Sequence, residues 1–386
     1  MLTSGQNILF VTHAGDPGGA EYKMIDLFRS VRTSSEIMLL EGGLLEGLLS
    51  KNEIRFSVNP MPTTAREVRK EAGWASLIKA IPGTLSMIPS VVRKAKGFSV
   101  IVCISQKAFM LVSLAKPFTR RPVVWFLNDI VSESHFSRLF MRLIVSLSRL
   151  SADHIVLPSH ASLKAWIKAG GRSERVSVIY PGLRSDITAR RIDAEQVSDL
   201  RQQYSADGKP LIGMIGRISR WKGQDVFLKA IARLPNVNAV IAGGAMFSEQ
   251  EYEGRLKALA RELGIENRVR FLGHVEDVIS LIAACDVIAH CSTAPEPFGQ
   301  VIVQAMFASK PVIASDAGGA PEVVLHGETG LLTPPNDDSA LAAAIQRFIE
   351  NPQWSQQLAQ RAKLRAEEKF SGSAMTAAFH EILKTL

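Results

Sequence analysis

The chain has few cysteines and no long apolar run. Its three cysteines are scattered over 386 residues, and no CxxC motif or Cys/His pairing has the spacing of a zinc site. This pattern excludes a disulfide framework and indicates a reducing compartment. The first residues lack a cationic segment before their short apolar run, and nowhere do about 18 apolar residues follow one another. The sequence therefore predicts a cytoplasmic protein without a secretory signal or a membrane span.

Familiar cofactor and nucleic-acid signatures are also absent. The chain contains neither the GxGxxG dinucleotide fingerprint nor a Walker A loop. It shows no acidic cluster with metal-ligand spacing, so neither a metal ion nor a cofactor is expected. Its basic half has no aromatic-stacking motif and no helix-turn-helix pattern, which argues against a nucleic-acid partner.

Positive charge is concentrated in the first half of the chain. The net charge is +8, and residues 1–183 alone hold 23 Lys and Arg against 13 Asp and Glu. An anionic membrane surface or a phosphorylated substrate would explain this excess, and an ordinary solvated surface is the alternative. Residues 65–97 combine seven Lys or Arg with interspersed apolar side chains. We expect this segment either to rest on the inner face of an anionic membrane or to pack its apolar face on a sheet.

Short apolar runs alternate with longer segments of helical spacing along the whole chain. The first half contains the runs NILFVTH, SEIMLL, FSVIVCIS, RPVVWFLND and ADHIVLPS. After a basic stretch that starts near Gly182 and ends near Arg191, the alternation resumes with PLIGMIG, NAVIAGG, RVRFLG, DVIAHCS and KPVIASD. Buried strands that alternate with helices are typical of parallel sheets. The sequence therefore predicts two similar α/β halves.

A glycine-rich region in the second half has the pattern of an anion site. Glu296 precedes a Pro-Phe-Gly turn, and Gly299 to Val301 would open a helix whose first N–H groups suit a phosphate. Residues 316–322 form a second glycine-rich loop after a strand, where ligands of open α/β sheets usually bind. Glycines are also routine in loop connections, so a purely structural role is the alternative for both loops.

Two cations of the second half and two residues of the first half complete the candidate set. Arg217 and Lys222 follow a predicted strand closely enough to converge on one diphosphate without a metal ion, unless they are ordinary surface cations. In the first half, Gly19 lies between the first strand and its helix, where backbone can approach a ligand. Asn128 ends another strand, although a turn or a helix cap is the commoner role of such a residue.

Taken together, these motifs resemble the retaining nucleotide-sugar glycosyltransferases of family 4. The segments that carry the resemblance are GGAE at 18–21, GRxxxxKG at 216–223, FLG at 271–273, EPFG at 296–299 and GGxPE at 318–322. The resemblance implies a GT-B fold, in which two Rossmann-like domains face each other across a cleft. It implies an acceptor-binding domain at 1–183, onto which a helix at about 370–386 packs back, and a nucleotide-sugar domain at 184–369.

The resemblance also implies a role for each motif residue. It assigns Arg217, Lys222 and the backbone of Gly19 to the donor diphosphate, and the backbone near Val275 to the base. Glu296 would hold hydroxyls of the donor sugar. The N–H groups that would meet sugar and phosphate belong to Phe298, Gly299, Gln300 and Val301.

Two positions depart from the family pattern. The second motif glutamate, which binds ribose hydroxyls in the family, is Gln304 in this chain, eight residues after Glu296. The histidine expected before the aspartate of the first domain is Asn128. The family resemblance makes Glu296, Arg217, Lys222 and Asn128 the candidate catalytic set, and a departing phosphate that takes the acceptor proton would let Asn128 stand in for histidine.

The implied activity is a metal-independent transfer that retains the anomeric configuration. We expect the donor to be UDP-glucose or another UDP-hexose, and the acceptor to be a glycan or a lipid-linked sugar in polysaccharide biosynthesis. Cations on the leaving diphosphate would lower the barrier most, because negative charge develops there. The alternatives are an inactive GT-B module that binds a nucleotide sugar or a partner, and an epimerase or phosphorylase of the same fold.

Overall fold

The computed structural model divides the chain into two compact α/β units. The first unit comprises Met1–Arg184 and Gly372–Leu386, and the second comprises Ser185–Ser371. The structure describes residues 6–31, 34–66, 74–133, 136–183, 187, 192–245 and 249–386. Residues 67–73 of the basic segment and most of the expected boundary region lie outside these ranges.

The first unit is a seven-stranded sheet with helices between its strands. Its elements are β1 (Ile8–Thr12), α1 (Gly19–Ser30), β2 (Glu36–Leu39), α2 (Leu44–Lys51), β3 (Phe56–Val58), α3 (Thr63–Arg66), α4 (Trp74–Ser86), α5 (Ile88–Ala95), β4 (Val100–Cys103), α6 (Gln106–Thr119), β5 (Val123–Phe126), α7 (Arg138–Ser151), β6 (His154–Leu157), α8 (His160–Lys168) and β7 (Val176–Val178). The carboxyl-terminal helix of the chain, Gly372–Lys384, also belongs to this unit.

The second unit repeats the same plan with six strands. Its elements are α9 (Ala194–Ser205), β8 (Leu211–Ile215), α10 (Gln224–Ala232), β9 (Asn238–Ala242), α11 (Gln250–Glu262), β10 (Val269–Gly273), α12 (Val278–Ala284), β11 (Val287–His290), α13 (Gln300–Phe307), β12 (Val312–Ser315), α14 (Ala320–Val323), β13 (Leu331–Thr333), α15 (Asp338–Glu350) and α16 (Pro352–Lys369). The carboxyl-terminal helix of the first unit is then α17 (Gly372–Lys384).

Both sheets are parallel and have the doubly wound strand order. The order is β3-β2-β1-β4-β5-β6-β7 in the first sheet and β10-β9-β8-β11-β12-β13 in the second. In the first sheet β1 lies between β2 and β4, and in the second sheet β8 lies between β9 and β11. Each unit is therefore Rossmann-like, with a switch point between β1 and β4 and between β8 and β11.

The ten strands that the apolar runs predict are all present. The structure adds three short strands, β3, β7 and β13, each at the edge of a sheet. Their three-residue sequences FSV, VSV and LLT are too short to form an apolar run, and in β3 and β7 no side chain is fully buried. Edge strands need less burial than central ones, which explains why the sequence pattern does not show them.

The central strands of each sheet are buried on both faces. In the first unit the Phe109 ring stacks on Trp125 at a centroid distance of 4.0 Å. Helix α17 packs on the opposite face, where the Phe379 ring lies 5.6 Å from Phe126, and the imidazole of His380 lies 3.2 Å from Ser30 Oγ on α1. The last residues of the chain are thus part of the core of the first unit. Within the described ranges, no helix combines the length and the apolar character needed to cross a bilayer.

Candidate functional site

The candidate residues of the second unit follow the two strands at its switch point. Arg217 lies just after β8, and the segment that leads to Glu296 follows β11. These strands are neighbours in the parallel sheet, so their carboxyl ends lie at the same edge. Ligands of doubly wound folds bind at such an edge, beyond the switch point. The strand order therefore brings together motifs that are far apart in the sequence.

A buried cluster surrounds the carboxylate of Glu296. Lys222 Nζ lies 2.6 Å from Oε1, and His290 Nε2 lies 2.6 Å from Oε2. The hydroxyl of Ser292 also donates to Oε2, at 2.6 Å. Only 11% of the Glu296 side chain is exposed, compared with 16% of the Lys222 side chain. Both carboxylate oxygens are thus already held in place before any ligand binds.

The cluster keeps Glu296 ionised. Burial alone would raise the pKa of this carboxyl, but the nearby charges of Lys222 and His290 and the hydrogen bonds from both residues outweigh burial. The pKa of Glu296 therefore lies well below its usual range. An ionised carboxylate can only accept hydrogen bonds, so the 2.6 Å contact requires the proton of His290 to be on Nε2.

His290 and Ser292 are functional candidates that the sequence motifs did not reveal. Ser292 Oγ lies 3.0 Å from His290 Nε2, and both groups contact the same oxygen of Glu296. This is not a hydrolytic triad, because such a triad needs serine and carboxylate on opposite ring nitrogens. The two residues instead orient the carboxylate. A usable signal was the short spacing of these two residues and Glu296, since His290 ends the buried strand β11 and the other two follow it.

Glycine explains how Lys222 reaches this cluster. A 3-10 turn, Arg220–Lys222, ends at Gly223, which has a φ of +75°. A Cβ at Gly223 would lie only 2.0 Å from the carbonyl oxygen of Cys291, so a side chain would push the turn away from the end of β11. The ammonium of Lys222 also lies 4.3 Å from the Trp221 ring centroid, over its face.

Arg217 lies at the same edge but is solvent-exposed. Its carbonyl oxygen accepts a hydrogen bond of 3.1 Å from Nε2 of the fully buried Gln224. This contact fixes the backbone of the loop that carries the guanidinium. Val275, the residue predicted to lie near the base, follows β10 at this edge of the sheet and is half-buried.

The second glycine-rich loop packs against the Glu296 loop. Gly318 has a φ of +65°, and a Cβ there would lie 2.2 Å from the carbonyl oxygen of Glu296. The amide of Gly319 donates to that same oxygen at 2.7 Å. Two adjacent glycines are needed here because backbone meets backbone. The structure therefore favours the structural alternative for these glycines, which hold the loop that carries Glu296.

The remaining motif residues surround the start of α13. Gly299 is its N-cap, with a φ of +93°, and Phe298 is buried with its ring 5.5 Å from Phe370. Along α13, one face is buried and the other is partly exposed. The partly exposed face carries the three predicted contact residues Gln300, Val301 and Gln304. The free N–H groups of a first helical turn favour an anion at this position.

The first unit gathers its candidates at the carboxyl edge of its own sheet. Gly19 is the exposed first residue of α1, which follows β1. Asn128 follows β5, and its Oδ1 accepts a hydrogen bond from Lys23, which is a buried residue of α1. Beside it, the amide of Gln106 donates to Asp129. Sequence reasoning missed Lys23 because it follows the GGAE motif on a helix that otherwise has an ordinary amphipathic pattern.

Comparison with known proteins gives a consistent result. Residues 196–365 match the family model for glycosyl transferases group 1. D-inositol 3-phosphate glycosyltransferase of Mycobacterium tuberculosis is 32% identical over 206 residues, which cover 51% of this chain and 41% of that protein. The chain therefore matches less than half the length of this curated relative.

Solved structures match over the whole chain. HepE (Alr3699) of Anabaena, in a crystal structure with UDP and glucose, is 36% identical with a TM-score of 0.89, and the match covers 99% of this chain and 100% of HepE. Sucrose-phosphate synthase of Thermosynechococcus elongatus is 21% identical with a TM-score of 0.83, over 99% of both chains, and thus shows the fold alone. The chain thus has two Rossmann-like units, matches HepE over its full length and matches the group 1 model over residues 196–365. It has the GT-B fold and belongs to the group 1 glycosyl transferases.

Proposed function

We propose that this protein is a retaining glycosyltransferase of family 4 that transfers a hexose from a UDP-hexose, with UDP-glucose as the leading candidate. The acceptor would be a glycan or a lipid-linked sugar in polysaccharide biosynthesis, and the reaction would need neither metal nor cofactor. The observation that carries the proposal is the contact between Lys222 and Glu296 at the switch point of the second sheet. HepE, whose structures contain UDP with glucose and UDP-glucose, supports the choice of donor.

The contacts of Lys222 allow it to serve two partners at once. An ammonium has three N–H donors, and Glu296 accepts one of them. The other donors remain able to bind oxygens of a diphosphate. Lys222 would thus stabilise the leaving group while it keeps Glu296 ionised. Arg217, exposed at the same edge, would add a second cation to the diphosphate.

Glu296 would bind hydroxyls of the donor sugar. Its two oxygens offer about four lone-pair positions, of which the contacts with Lys222, His290 and Ser292 use three. A carboxylate that is already oriented loses little freedom when it binds a hydroxyl, so the binding energy is not spent on ordering it. The helix start at Gly299 would meet the sugar and the phosphate with backbone N–H groups.

In the proposed reaction, cations provide most of the stabilisation of the transition state. Negative charge grows on the diphosphate as its bond to the sugar breaks, and preorganised cations stabilise that charge. The departing phosphate oxygen would accept the proton of the acceptor hydroxyl as the new glycosidic bond forms on the same face. This route needs no protein base near the acceptor, which agrees with an amide at Asn128.

Donor identity and metal independence can be tested together. We expect UDP-glucose to raise the midpoint of thermal unfolding more than GDP- or dTDP-glucose does, because a bound donor stabilises the folded state by mass action. Transfer should continue unchanged after treatment with EDTA. A stronger response to another base would revise the donor, and loss of turnover in EDTA would contradict the metal-free mechanism.

Gln304 provides a test of nucleoside recognition. Because it shares the partly exposed face of α13 with Gln300, we propose that its side chain binds the ribose. Gln304→Glu should then tighten UDP binding by about 1 kcal/mol, since charge-assisted hydrogen bonds exceed neutral ones by roughly that amount. Calorimetry with UDP and dTDP would measure it. Equal changes for both nucleotides, or none, would mean that Gln304 does not contact the 2′-hydroxyl.

We also propose that the first unit rests on the inner face of an anionic membrane. On α4, Ile78, Ile81 and Leu85 are 61%, 50% and 46% exposed, and their spacing places them on one helical face. Residues 74–97 contain no Asp or Glu, whereas Lys79 and Arg93 are exposed there. Ala80, Met87 and Val91 point inward and are buried, so only part of this segment packs on the core.

Vesicle sedimentation would test the membrane contact. The double variant Ile78→Ser, Ile81→Ser should lose about 2 kcal/mol of affinity for phosphatidylglycerol vesicles, or roughly thirtyfold, because each isoleucine withdraws apolar surface from water on docking. Leu364→Ser on α16 is the matched control, since Leu364 is 66% exposed in the other unit. Equal binding of both variants, or equal binding to phosphatidylcholine, would contradict an anionic membrane site on α4.

A further inference from the structure

A half-buried cation of the first unit takes no part in the contacts described so far. Lys107 is the second residue of α6, and its ammonium donates to the carbonyl oxygen of Arg66, the last residue of α3. Among the residues that the structure describes, no carboxylate forms an ion pair with this ammonium. Burial lowers the pKa of Lys107; the charge of Glu41 opposes this shift, and that of Arg66 adds to it. The contacts of the folded chain therefore compensate this charge only in part.

Arg66 places a second cation beside Lys107. The chain returns to this point because the amide of Met61 donates to the carbonyl oxygen of Leu40 at 2.8 Å, which lays the segment before α3 along the end of β2. One guanidinium nitrogen of Arg66 then lies 3.5 Å from Oε1 of Glu41, and 51% of the Arg66 side chain is exposed. Two cations thus face one partly exposed carboxylate, so the cluster carries an excess of positive charge.

This cluster lies at the ligand-binding edge of the first sheet. Helix α6 begins shortly after β4, and Glu41 follows β2, so both lie at the carboxyl ends of the two strands that flank β1. Doubly wound folds bind ligands beyond this edge, at the switch point between β1 and β4. The start of α6 adds positive potential, because the N–H groups of a first helical turn and the helix dipole favour an anion.

A phosphate group matches the donors of this cluster. The ammonium of Lys107 has three N–H donors, of which the carbonyl oxygen of Arg66 accepts one. The exposed guanidinium adds a planar fork of donors, which suits phosphate oxygens. A phosphate group has three outer oxygens and can accept from the ammonium, the guanidinium and the helix start together. A neutral sugar would leave the excess charge uncompensated.

We propose that Lys107 and Arg66 bind a phosphate group of the acceptor at the carboxyl edge of the first sheet. This inference rests on the proposed function, because it takes the first unit to bind the acceptor. It selects between the two acceptors that the proposed function allows. A lipid-linked sugar that is joined to its carrier through a phosphate fits the site, whereas a neutral glycan does not. Glu41 limits the affinity, since its carboxylate and the phosphate compete for the same guanidinium.

Calorimetry on UDP-saturated protein tests this site before the acceptor is known. Saturation with UDP keeps the probe away from the proposed diphosphate site of the second unit. Wild-type protein should bind glucose 1-phosphate more tightly than methyl glucoside, which lacks the phosphate. Lys107→Gln should weaken glucose 1-phosphate binding roughly tenfold, as expected for one charge-assisted hydrogen bond, and leave UDP binding unchanged. Lys116→Gln is the matched control, because Lys116 lies on the same helix but pairs with Asp153.

A second variant keeps the test independent of folding. Glu41→Gln removes the competing carboxylate and should tighten glucose 1-phosphate binding about threefold, in line with the strength of exposed ion pairs. Misfolded protein cannot produce a gain of affinity. Unchanged affinity in both Lys107→Gln and Glu41→Gln would overturn the proposal. A lower unfolding midpoint of Lys107→Gln with unchanged affinity would also overturn it, because Lys107 would then only cap the end of α3.

Vesicle sedimentation separates an acceptor phosphate from a lipid headgroup. Lys107→Gln should bind phosphatidylglycerol vesicles as wild-type protein does. A loss of vesicle binding with unchanged glucose 1-phosphate binding would assign the cluster to a headgroup and overturn the acceptor site. If wild-type protein binds neither UDP nor any UDP-hexose, the proposed function itself fails. If UDP binds but glucose 1-phosphate binding does not depend on Lys107, only this inference fails.

Discussion

Replacing Lys222 with alanine should slow sugar transfer by about two orders of magnitude, which corresponds to ~3 kcal/mol of barrier. The variant leaves charge on the departing diphosphate uncompensated in a partly buried site. Turnover at saturating UDP-glucose measures the effect. Lys257→Ala is the matched control, because its ammonium pairs with Glu253 on α11 and 52% of the side chain is exposed. Near-native turnover in Lys222→Ala would refute the assignment of Lys222 to the leaving group.

The same variant should change the pH profile. In the wild-type protein the pKa of Glu296 lies well below its usual range, so the carboxylate stays charged and the rate should hold as the pH falls from 7 to about 5. Without Lys222, burial of the carboxyl is no longer fully offset, and its pKa rises. The transfer rate of Lys222→Ala should therefore fall at acidic pH, unlike that of the wild-type protein. Arg217→Ala should also slow transfer but should keep the wild-type profile, because Lys222 and His290 are the charges that hold Glu296 ionised. Parallel profiles for both variants would contradict this electrostatic role.

The second large effect is expected for Glu296→Gln. The amide removes the charge that binds sugar hydroxyls and leaves the ammonium of Lys222 without its carboxylate partner. Transfer should fall by roughly one to two orders of magnitude, since hydrogen bonds to charged groups contribute about 1.5 to 3 kcal/mol. UDP affinity should remain nearly unchanged, because the proposed contact is to the sugar. Glu367→Gln on α16, an exposed position, is the control. A loss of UDP affinity as large as the loss of rate would show that Glu296 binds the nucleotide instead.

Much of the fold could be read from local patterns. The ten apolar runs are strands because fully buried parallel strands need continuous apolar sequence. The turn glycines at 216, 223 and 299 have the positive φ that favours glycine. The motifs also marked the positions that follow β8 and β11. What remained open in the sequence was whether the glycines of each loop serve a ligand or the packing of the chain.

Contacts between distant segments could not be read in this way. No sequence motif includes His290 or Ser292, because only the folded loop after β11 brings Glu296 back into contact with them. Gly318 and Gly319 looked like a ligand loop, yet their backbone supports Glu296. A local pattern contains no information about which backbone a glycine will touch.

The amino-acid sequence specifies the alternation of strands and helices, the glycine-containing turns, and the cations and carboxylates near the strand ends. These follow from the local backbone and from apolar periodicity. The ionisation and the orientation of the functional groups depend instead on contacts made in the folded chain. Lys222 and Glu296 are 74 positions apart in the chain, and Lys23 and Asn128 are 105 apart. The ionisation of Glu296 and the orientation of Asn128 depend on distance in space and on burial, since both set the strength of an electrostatic interaction.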